Sequence, residues 1–188
     1  MKQITLIRHA KVDIGNSEKI NAHALQKWVE AYDVAPIHTE SLPSQETIAL
    51  AQSADIVLTS TLSRAINSAK VLGVKVYEQS NLFNEAAIPK INIPFLKLKP
   101  KTWLIVLRGL LLFGLGKKDA SLKVSKMQAN EAAKRLITFS RKHDHVVLVG
   151  HGGMNWLLGK ELLKEGWALE GKGSHEHWGV TVLHNMSN

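Results

Sequence analysis

VVLVGHGG, residues 146–153, is an apolar run that ends in a glycine-rich turn carrying His151. Such a run is typical of a buried strand that leads directly into a helix. Near the other end of the chain, ITLIRHA over residues 4–10 delivers Arg8 and His9 in the same way. Ligands of an open α/β sheet bind above the carboxyl ends of its strands. We therefore expect both histidines to lie beside one anionic ligand.

Composition limits the class of protein. The chain has 188 residues, 45% of them apolar, which is enough for the core of one domain spanning residues 1–188. It has no cysteine, which excludes a disulfide framework or a thiolate nucleophile and fits a cytoplasmic location. Only a few apolar residues precede Arg8, too few for a signal peptide. The net charge of +8 comes from scattered lysines that do not alternate with aromatic residues, so nucleic-acid binding is disfavoured.

The hydrophobic pattern predicts alternating strands and helices, as expected for a mostly parallel sheet covered on both faces. The predicted strands cover residues 3–7, 56–59, 74–77, 146–149 and 179–184, and the predicted helices cover 21–32, 44–51, 63–72, 127–142 and 155–163.

Two of these helix starts are candidate anion sites. The helix that begins near Ser63 carries Arg64 in its first turn, at the positive end of the helix dipole. Glycines around His151 let the backbone approach an anion closely, and the next helix offers N–H groups. Each feature also has a structural interpretation, namely a surface arginine on an ordinary helix and an incidental histidine in a tight turn.

Four short motifs, in this order, resemble those of the histidine phosphatase superfamily, the phosphoglycerate mutase-like proteins. They are Arg8-His9-Ala10, the helix start from Ser60 through Arg64-Ala65 to Ser68-Ala69, Leu82-Phe83-Asn84-Glu85, and Gly150-His151-Gly152. The resemblance extends from residue 3 to about residue 184. It implies a three-layer α/β sandwich, with helices on both faces of a mostly parallel central sheet.

The resemblance also implies roles for the residues at matching positions. His9 would be the nucleophile that is transiently phosphorylated, and Arg8, Arg64 and His151 would hold the phosphoryl oxygens. Glu85 would protonate the leaving oxygen and then activate water. The implied protein is a cytoplasmic phosphatase that acts on a small phosphorylated substrate without a cofactor or a metal. The residue types agree, because guanidinium groups keep a neighbouring imidazole neutral and complement the charge of a transferring phosphoryl group.

Two other functions stay open at this point. One is phosphoryl transfer of the phosphoglycerate mutase type. The other is a catalytically weak phosphate-binding domain, which Ala10 favours because it adds a Cβ where the family has glycine. Asn16 is a further candidate phosphate ligand, or a plain loop residue. His175 and His177 have a metal-binding spacing, but the resemblance places them near the rim of the site.

Residues 86–126 correspond to a variable insertion in the family, where we expect substrate specificity to reside. This insertion contains an apolar segment, residues 103–115, that is too short to cross a bilayer. As a helix it would be apolar nearly all round and would need burial on more than one side. We interpret it as a cap on the core or as a homodimer contact. Peripheral contact with an anionic membrane, through its flanking lysines, is the alternative.

Overall fold

The computed structural model describes residues 1–86, 95–112 and 120–185. The strands in these ranges are β1 (Lys2–Arg8), β2 (Ile56–Thr59), β3 (Glu78–Gln79), β4 (His145–Gly150), β5 (Trp167–Glu170) and β6 (Val180–Asn185). The helices are α1 (Ala22–Val34), α2 (Gln45–Gln52), α3 (Ser63–Val71), α4 (Pro100–Leu112), α5 (Ala120–Ser140) and α6 (Gly152–Lys164), with a short 3-10 helix at Asn81–Phe83.

The strands form one sheet in the order β3-β2-β4-β1-β6-β5. Strands β3, β2, β4 and β1 are parallel, and β6 pairs antiparallel with both β1 and β5. In the register of the central pair, Arg8 lies opposite Gly150. The two strands that carry the histidine motifs are therefore neighbours and end at the same edge. The expectation of a mostly parallel sheet is confirmed.

Alternate residues of a strand point to opposite faces of the sheet, and helices cover both faces of the central strands. One apolar cluster joins Ile4 and Leu6 of β1 to residues of α5 and α6. A second cluster joins Ile7 to residues of α2 and α3. This arrangement gives the three layers that the sequence predicted.

Helix α4 packs on α1 through a smaller cluster of Leu25, Trp103 and Leu107. The indole N–H of Trp103 donates to the carbonyl of Ile20 at 2.7 Å, which fixes the start of the helix. The side chain of Ile105, in contrast, is 71% exposed. Part of the predicted apolar segment, residues 113–115, lies outside the described residues. The interpretation of residues 86–126 as a cap stays a prediction.

No helix among the described residues has both the length and the hydropathy needed to cross a membrane.

The strands of the structure differ from the predicted ones at two places, and the helix predicted at 127–142 spans Ala120–Ser140. The strand expected at residues 74–77 lies instead at Glu78–Gln79, because Val74 and Val76 pack against the α2–α3 face as loop residues. Their alternating apolar pattern arises because both side chains are partly buried, although their backbone is not part of a strand. Strand β5 was missed, since only Trp167 of its four residues is buried. An edge strand that is mostly exposed lacks the apolar pattern from which strands are predicted.

Candidate active site

The candidate site lies where β1, β2 and β4 end. His9 follows β1, Ser60 follows β2 and His151 follows β4. The backbone N–H of His9 donates to the carbonyl of Gly150 at 3.0 Å, which continues the β1–β4 ladder one residue further. As a result the imidazole rings of His9 and His151 lie 5.1 Å apart, and both residues are almost completely buried. The structure thus brings the two ends of the chain to one site.

The ring of His9 is held in one tautomer. Its Nδ1 lies 2.6 Å from the carbonyl oxygen of Ala10. A carbonyl oxygen only accepts hydrogen bonds, so Nδ1 carries the proton and Nε2 keeps its lone pair. Burial, followed by repulsion from His151, Arg64 and Arg8, holds the pKa of His9 well below its usual range. The ring is therefore neutral at physiological pH, with a nucleophilic nitrogen.

Ala10 is accommodated by the core. Its backbone N–H donates to Ser68 Oγ at 2.8 Å, and that hydroxyl donates in turn to the carbonyl of Arg64 at 2.6 Å. The side chain belongs to the apolar cluster on the α2–α3 face and is fully buried. The methyl group that replaces the family's glycine hydrogen is therefore packed against apolar side chains. Its effect on activity stays a prediction.

Arg8 lies over the first turn of α6. Its Nη1 donates to the carbonyl of His175 at 2.6 Å. A Cβ on Gly152 would meet Nε, Cδ and Cζ of Arg8 at 3.2–3.3 Å, a tight contact, so glycine leaves room for this close approach. At Gly150 a Cβ would stand 2.6 Å from Asn155 Oδ1. The glycines of the GHG turn thus make room for the guanidinium group and for the helix that begins here.

Arg64 is held by helix α1. The residue is 2% exposed, and its Nη1 donates to Asp33 Oδ1 at 2.7 Å. Its Cζ stands 4.8 Å from the centre of the Tyr32 ring. An ion pair and a cation–π contact together restrict a long side chain to one orientation. Sequence reasoning missed Asp33 and Tyr32, because neither belongs to a motif and both are 31 or 32 positions distant from Arg64.

His151 and Glu85 meet at the start of α6. His151 is the N-cap residue, and its Nε2 lies 2.7 Å from Ser60 Oγ. Glu85 Oε1 accepts the backbone N–H of Met154, in the first turn of α6, at 2.9 Å. A carboxylate at this helix end is favoured by the helix dipole. The carboxylate predicted to act in catalysis therefore lies on the turn that follows His151.

His177 is a site residue that the sequence placed only near the rim. Its Nδ1 lies 3.1 Å from the carbonyl of His9, and the two rings are 5.4 Å apart. Burial, and then repulsion from Arg8, lowers the pKa of His177 to about 4. The next residue, Trp178, has a φ of 63°, a left-handed value that is unfavourable for a bulky side chain. The backbone holds this imidazole against His9 at a cost in strain.

Asn16 makes a different contact. Its Oδ1 accepts the backbone N–H of Lys101 at 2.8 Å and so ties the loop after β1 to the first turn of α4. Its role as a phosphate ligand stays a prediction.

A separate cavity of about 480 Å³ lies near the opposite edge of the sheet, between α2 and the loop that follows α3. Asp55, Tyr77 and His143 are among its lining residues. None of the four motifs contributes to it, and the carboxylate of Asp55 already accepts the N–H groups of Asp144 and His145. The predicted site residues therefore lie away from this cavity, in the cluster around His9.

The chain resembles solved structures of phosphatases in fold. A phosphoserine phosphatase from Entamoeba histolytica, solved with 3-phosphoglyceric acid, has a TM-score of 0.57 at 16% identity, over 97% of this chain and 90% of that one. A mycobacterial glucosyl-3-phosphoglycerate phosphatase has a TM-score of 0.52 at 16% identity, over 87% and 80% of the two chains. At this identity the likeness establishes the fold, and the predicted phosphoglycerate mutase-like sandwich is confirmed.

No described protein family and no curated protein matches the sequence itself.

Proposed function

We propose that the protein is a phosphomonoester hydrolase of the histidine phosphatase superfamily, acting through a phosphohistidine at His9. One observation carries the proposal: the buried, neutral ring of His9, fixed at Nδ1 by Ala10, lies among Arg8, Arg64 and His151. A neutral imidazole surrounded by positive charge is poorly explained as a core residue. It suits attack on a dianionic phosphoryl group.

In the first step His9 Nε2 attacks phosphorus, and the bond between phosphorus and the ester oxygen breaks. The guanidinium groups of Arg8 and Arg64, with His151, stabilise the negative charge on the three phosphoryl oxygens that do not react. The leaving oxygen takes a proton from Glu85. The products of this step are an alcohol and the phosphorylated histidine.

In the second step water attacks the phosphorus and the bond to Nε2 breaks. Glu85, now ionised, accepts a proton from that water, which restores the starting state and releases inorganic phosphate. This chemistry uses arginine charge where other phosphatases use a metal. Activity that a chelator abolishes and added zinc restores would contradict it.

The fold supports a small phosphorylated substrate. The two neighbours described above are named for phosphoserine and for glucosyl-3-phosphoglycerate, both small phosphate monoesters. The cysteine-free composition fits a cytoplasmic protein.

The test is direct detection of the intermediate. Purified protein is mixed with a 32P-labelled aryl phosphate, quenched within milliseconds and mapped by mass spectrometry. Acid-labile label is expected on His9 in the wild type and is expected to be absent from His9→Ala. The control variant is His145→Ala, which removes a buried histidine at the amino end of β4 and should still be labelled on His9. Turnover without label, or label elsewhere, would overturn the mechanism. Phosphate binding without turnover or label would indicate the catalytically weak binding domain instead.

A further inference from the structure

The net charge of the protein is concentrated in one stretch of the chain. Residues 86–126 contain nine of the 24 lysines and arginines but only one of the 16 acidic residues, Asp119. Fifteen residues of each sign remain, so the rest of the chain is neutral. Basic residues are thus spread along the whole sequence, whereas their excess over acidic residues lies in the insertion alone. Such a local excess attracts anionic surfaces.

The same insertion exposes large apolar side chains. Phe95 is 96% exposed, and Ile105 and Val106, in the second turn of α4, are exposed as well. With Thr102 and Gly109, the two helix residues have the spacing of one helix face. No side chain in this stripe is charged. An exposed apolar stripe in a strongly basic segment is typical of an interaction site.

The packing of α4 shows which way the stripe points. Trp103 and Leu107, on the opposite face of the helix, are buried in a cluster with residues of α1 and with Leu98. Leu98 forms an antiparallel bridge to the segment before α1. Neighbouring side chains of such extended backbone point to opposite sides, and both Lys97 and Lys99 are exposed. The two lysines therefore point away from the cluster, as the apolar stripe does.

The occupant of this surface must match both its charge and its apolar side chains. A second copy of the chain would bring together two insertions that each carry a net charge of +8, and like charges repel. An acidic protein surface would pair with the lysines but would bury charged groups against the apolar stripe without partners. An anionic lipid bilayer matches both, because its headgroups attract lysines and its acyl boundary accepts apolar side chains.

We propose that the protein docks on an anionic lipid bilayer through a surface formed by Phe95, Lys97, Lys99, Ile105 and Val106. The apolar side chains enter the boundary between headgroups and acyl chains, and the two ammonium groups stay among the lipid phosphates. This binding is independent of the proposed function, since it requires no phosphoryl transfer.

The position of the docking surface relates it to the candidate active site. Helix α4 packs on α1, and α1 carries Asp33 and Tyr32, which hold Arg64. The first turn of α4 is also bound by Asn16, in the loop that follows β1. The bilayer would therefore contact the helix next to the one that positions Arg64.

The experiment is co-sedimentation of the full chain with lipid vesicles. Vesicles of phosphatidylcholine alone are compared with vesicles in which about a third of the lipid is phosphatidylglycerol, in about 0.1 M and about 0.5 M salt. We expect the wild type to sediment with the anionic vesicles at the lower salt concentration and to be released at the higher one, because salt screens its lysines. It should not sediment with the neutral vesicles.

Two lysine variants test whether the binding is local. Lys97→Gln combined with Lys99→Gln should weaken binding to anionic vesicles roughly 25-fold, because each lysine near such a surface contributes about fivefold. Lys70→Gln combined with Lys142→Gln is the matched control. It removes two exposed lysines outside the insertion, lowers the net charge equally and should keep the wild-type affinity within about twofold.

Two apolar variants test the stripe. Ile105→Ser should weaken binding roughly tenfold, the gain expected from burying one branched aliphatic side chain. Leu42→Ser removes a side chain of matching exposure, 72% against 71%, from a loop outside the insertion and should leave binding unchanged. Because both side chains are exposed, the urea midpoints of the two variants should equal that of the wild type, which separates loss of binding from loss of fold.

Failure of the wild type to bind anionic vesicles, equal binding to neutral ones, or equal losses in the two lysine variants would overturn the proposal. A dimer that Ile105→Ser dissociates, without vesicle binding, would assign the surface to a second copy. Retention on polyglutamate without vesicle binding would assign it to an acidic protein. None of these results affects the labelling of His9, so this proposal and the proposed function fail separately.

Discussion

His9 and His145 are two buried histidines at opposite ends of neighbouring parallel strands. His9 follows the carboxyl end of β1, whereas His145 stands at the amino end of β4. His145 begins β4, and its Nε2 lies 2.9 Å from Thr5 Oγ1 and 3.0 Å from Gln3 Nε2. Its Nδ1 lies 3.3 Å from Ser53 Oγ. Burial lowers the pKa of both histidines. Burial and a shifted pKa therefore do not by themselves distinguish a functional histidine from a structural one.

The surroundings distinguish them. Neutral side chains contact both nitrogens of His145, and the carboxylate of Asp55 works against the fall in its pKa. At His9, charged neighbours lower the pKa further, and the Ala10 carbonyl leaves Nε2 as the lone-pair nitrogen. The fold satisfies His145 with neutral hydrogen-bond partners, whereas it gathers basic side chains around His9, as a site for an anionic ligand would.

The largest expected effect separates these two histidines. His9→Ala should lower turnover of an aryl phosphate by at least about three powers of ten, because the proposed nucleophile is lost. His145→Ala should keep turnover near the wild-type value but lose roughly 1–3 kcal/mol of stability in urea unfolding, since Thr5 and Gln3 lose their buried partner. A His9→Ala protein with a tenth of the wild-type rate would remove the contrast.

Arg64 and Arg135 provide a second matched pair. Each forms an ion pair, with Asp33 at 2.7 Å and with Glu78 at 2.5 Å, and each stacks on an aromatic ring. Only Arg64 is buried beside His9. Arg64→Ala should lower kcat by roughly two to three powers of ten, the loss typical of one transition-state charge partner. Arg135→Ala should leave kcat within twofold, and equal losses would show that the ion pair acts structurally at both positions.

Glu85→Gln tests the proton donor by its dependence on the leaving group. An aryl oxygen leaves without much assistance, whereas an alkyl oxygen must be protonated, so the variant should slow an alkyl phosphate at least about tenfold more than an aryl phosphate. The measurement is the ratio of the two kcat/KM values. Glu131→Gln, which removes an exposed carboxylate on α5, should keep the wild-type ratio. An unchanged ratio in Glu85→Gln would leave Glu85 only its contact with the start of α6.

The smallest effect concerns stability against pH. The pKa of His177 is about 4 in the folded protein and near 6.5 as an ordinary histidine. As the pH falls, the unfolded chain therefore binds a proton at this histidine before the folded protein does. The contribution of neutral His177 to folding stability is complete above about pH 6.5 and is lost as the pH falls towards 4. His177→Gln keeps an N–H donor for the His9 carbonyl but does not titrate. The urea midpoint should fall less between pH 7 and pH 4.5 in this variant than in the wild type. An equal fall in the two proteins would contradict the assignment of this pH dependence to His177.

Much of the fold follows from local sequence. The central residues of strands β1, β2 and β4 are buried, so these strands have largely apolar sequences. The ends of such strands, and the residues that follow them, can be recognised from the sequence. For this reason the sequence alone predicts His9, Arg64 and His151 as candidate site residues. β3 and β5 could not be located in this way, because short edge strands depend on pairing more than on their own residues.

The sequence by itself determined which side chains stand at the ends of the central strands, because strand ends and helix starts have local signatures. Only the tertiary structure decided what surrounds them. The contacts of Asp33 with Arg64, of Ser60 with His151 and of His177 with the His9 carbonyl join residues 31, 91 and 168 positions apart. Such contacts arise from the packing of whole elements on one another, so no spacing along the chain encodes them, and with them come the tautomer, charge and accessibility on which reactivity depends.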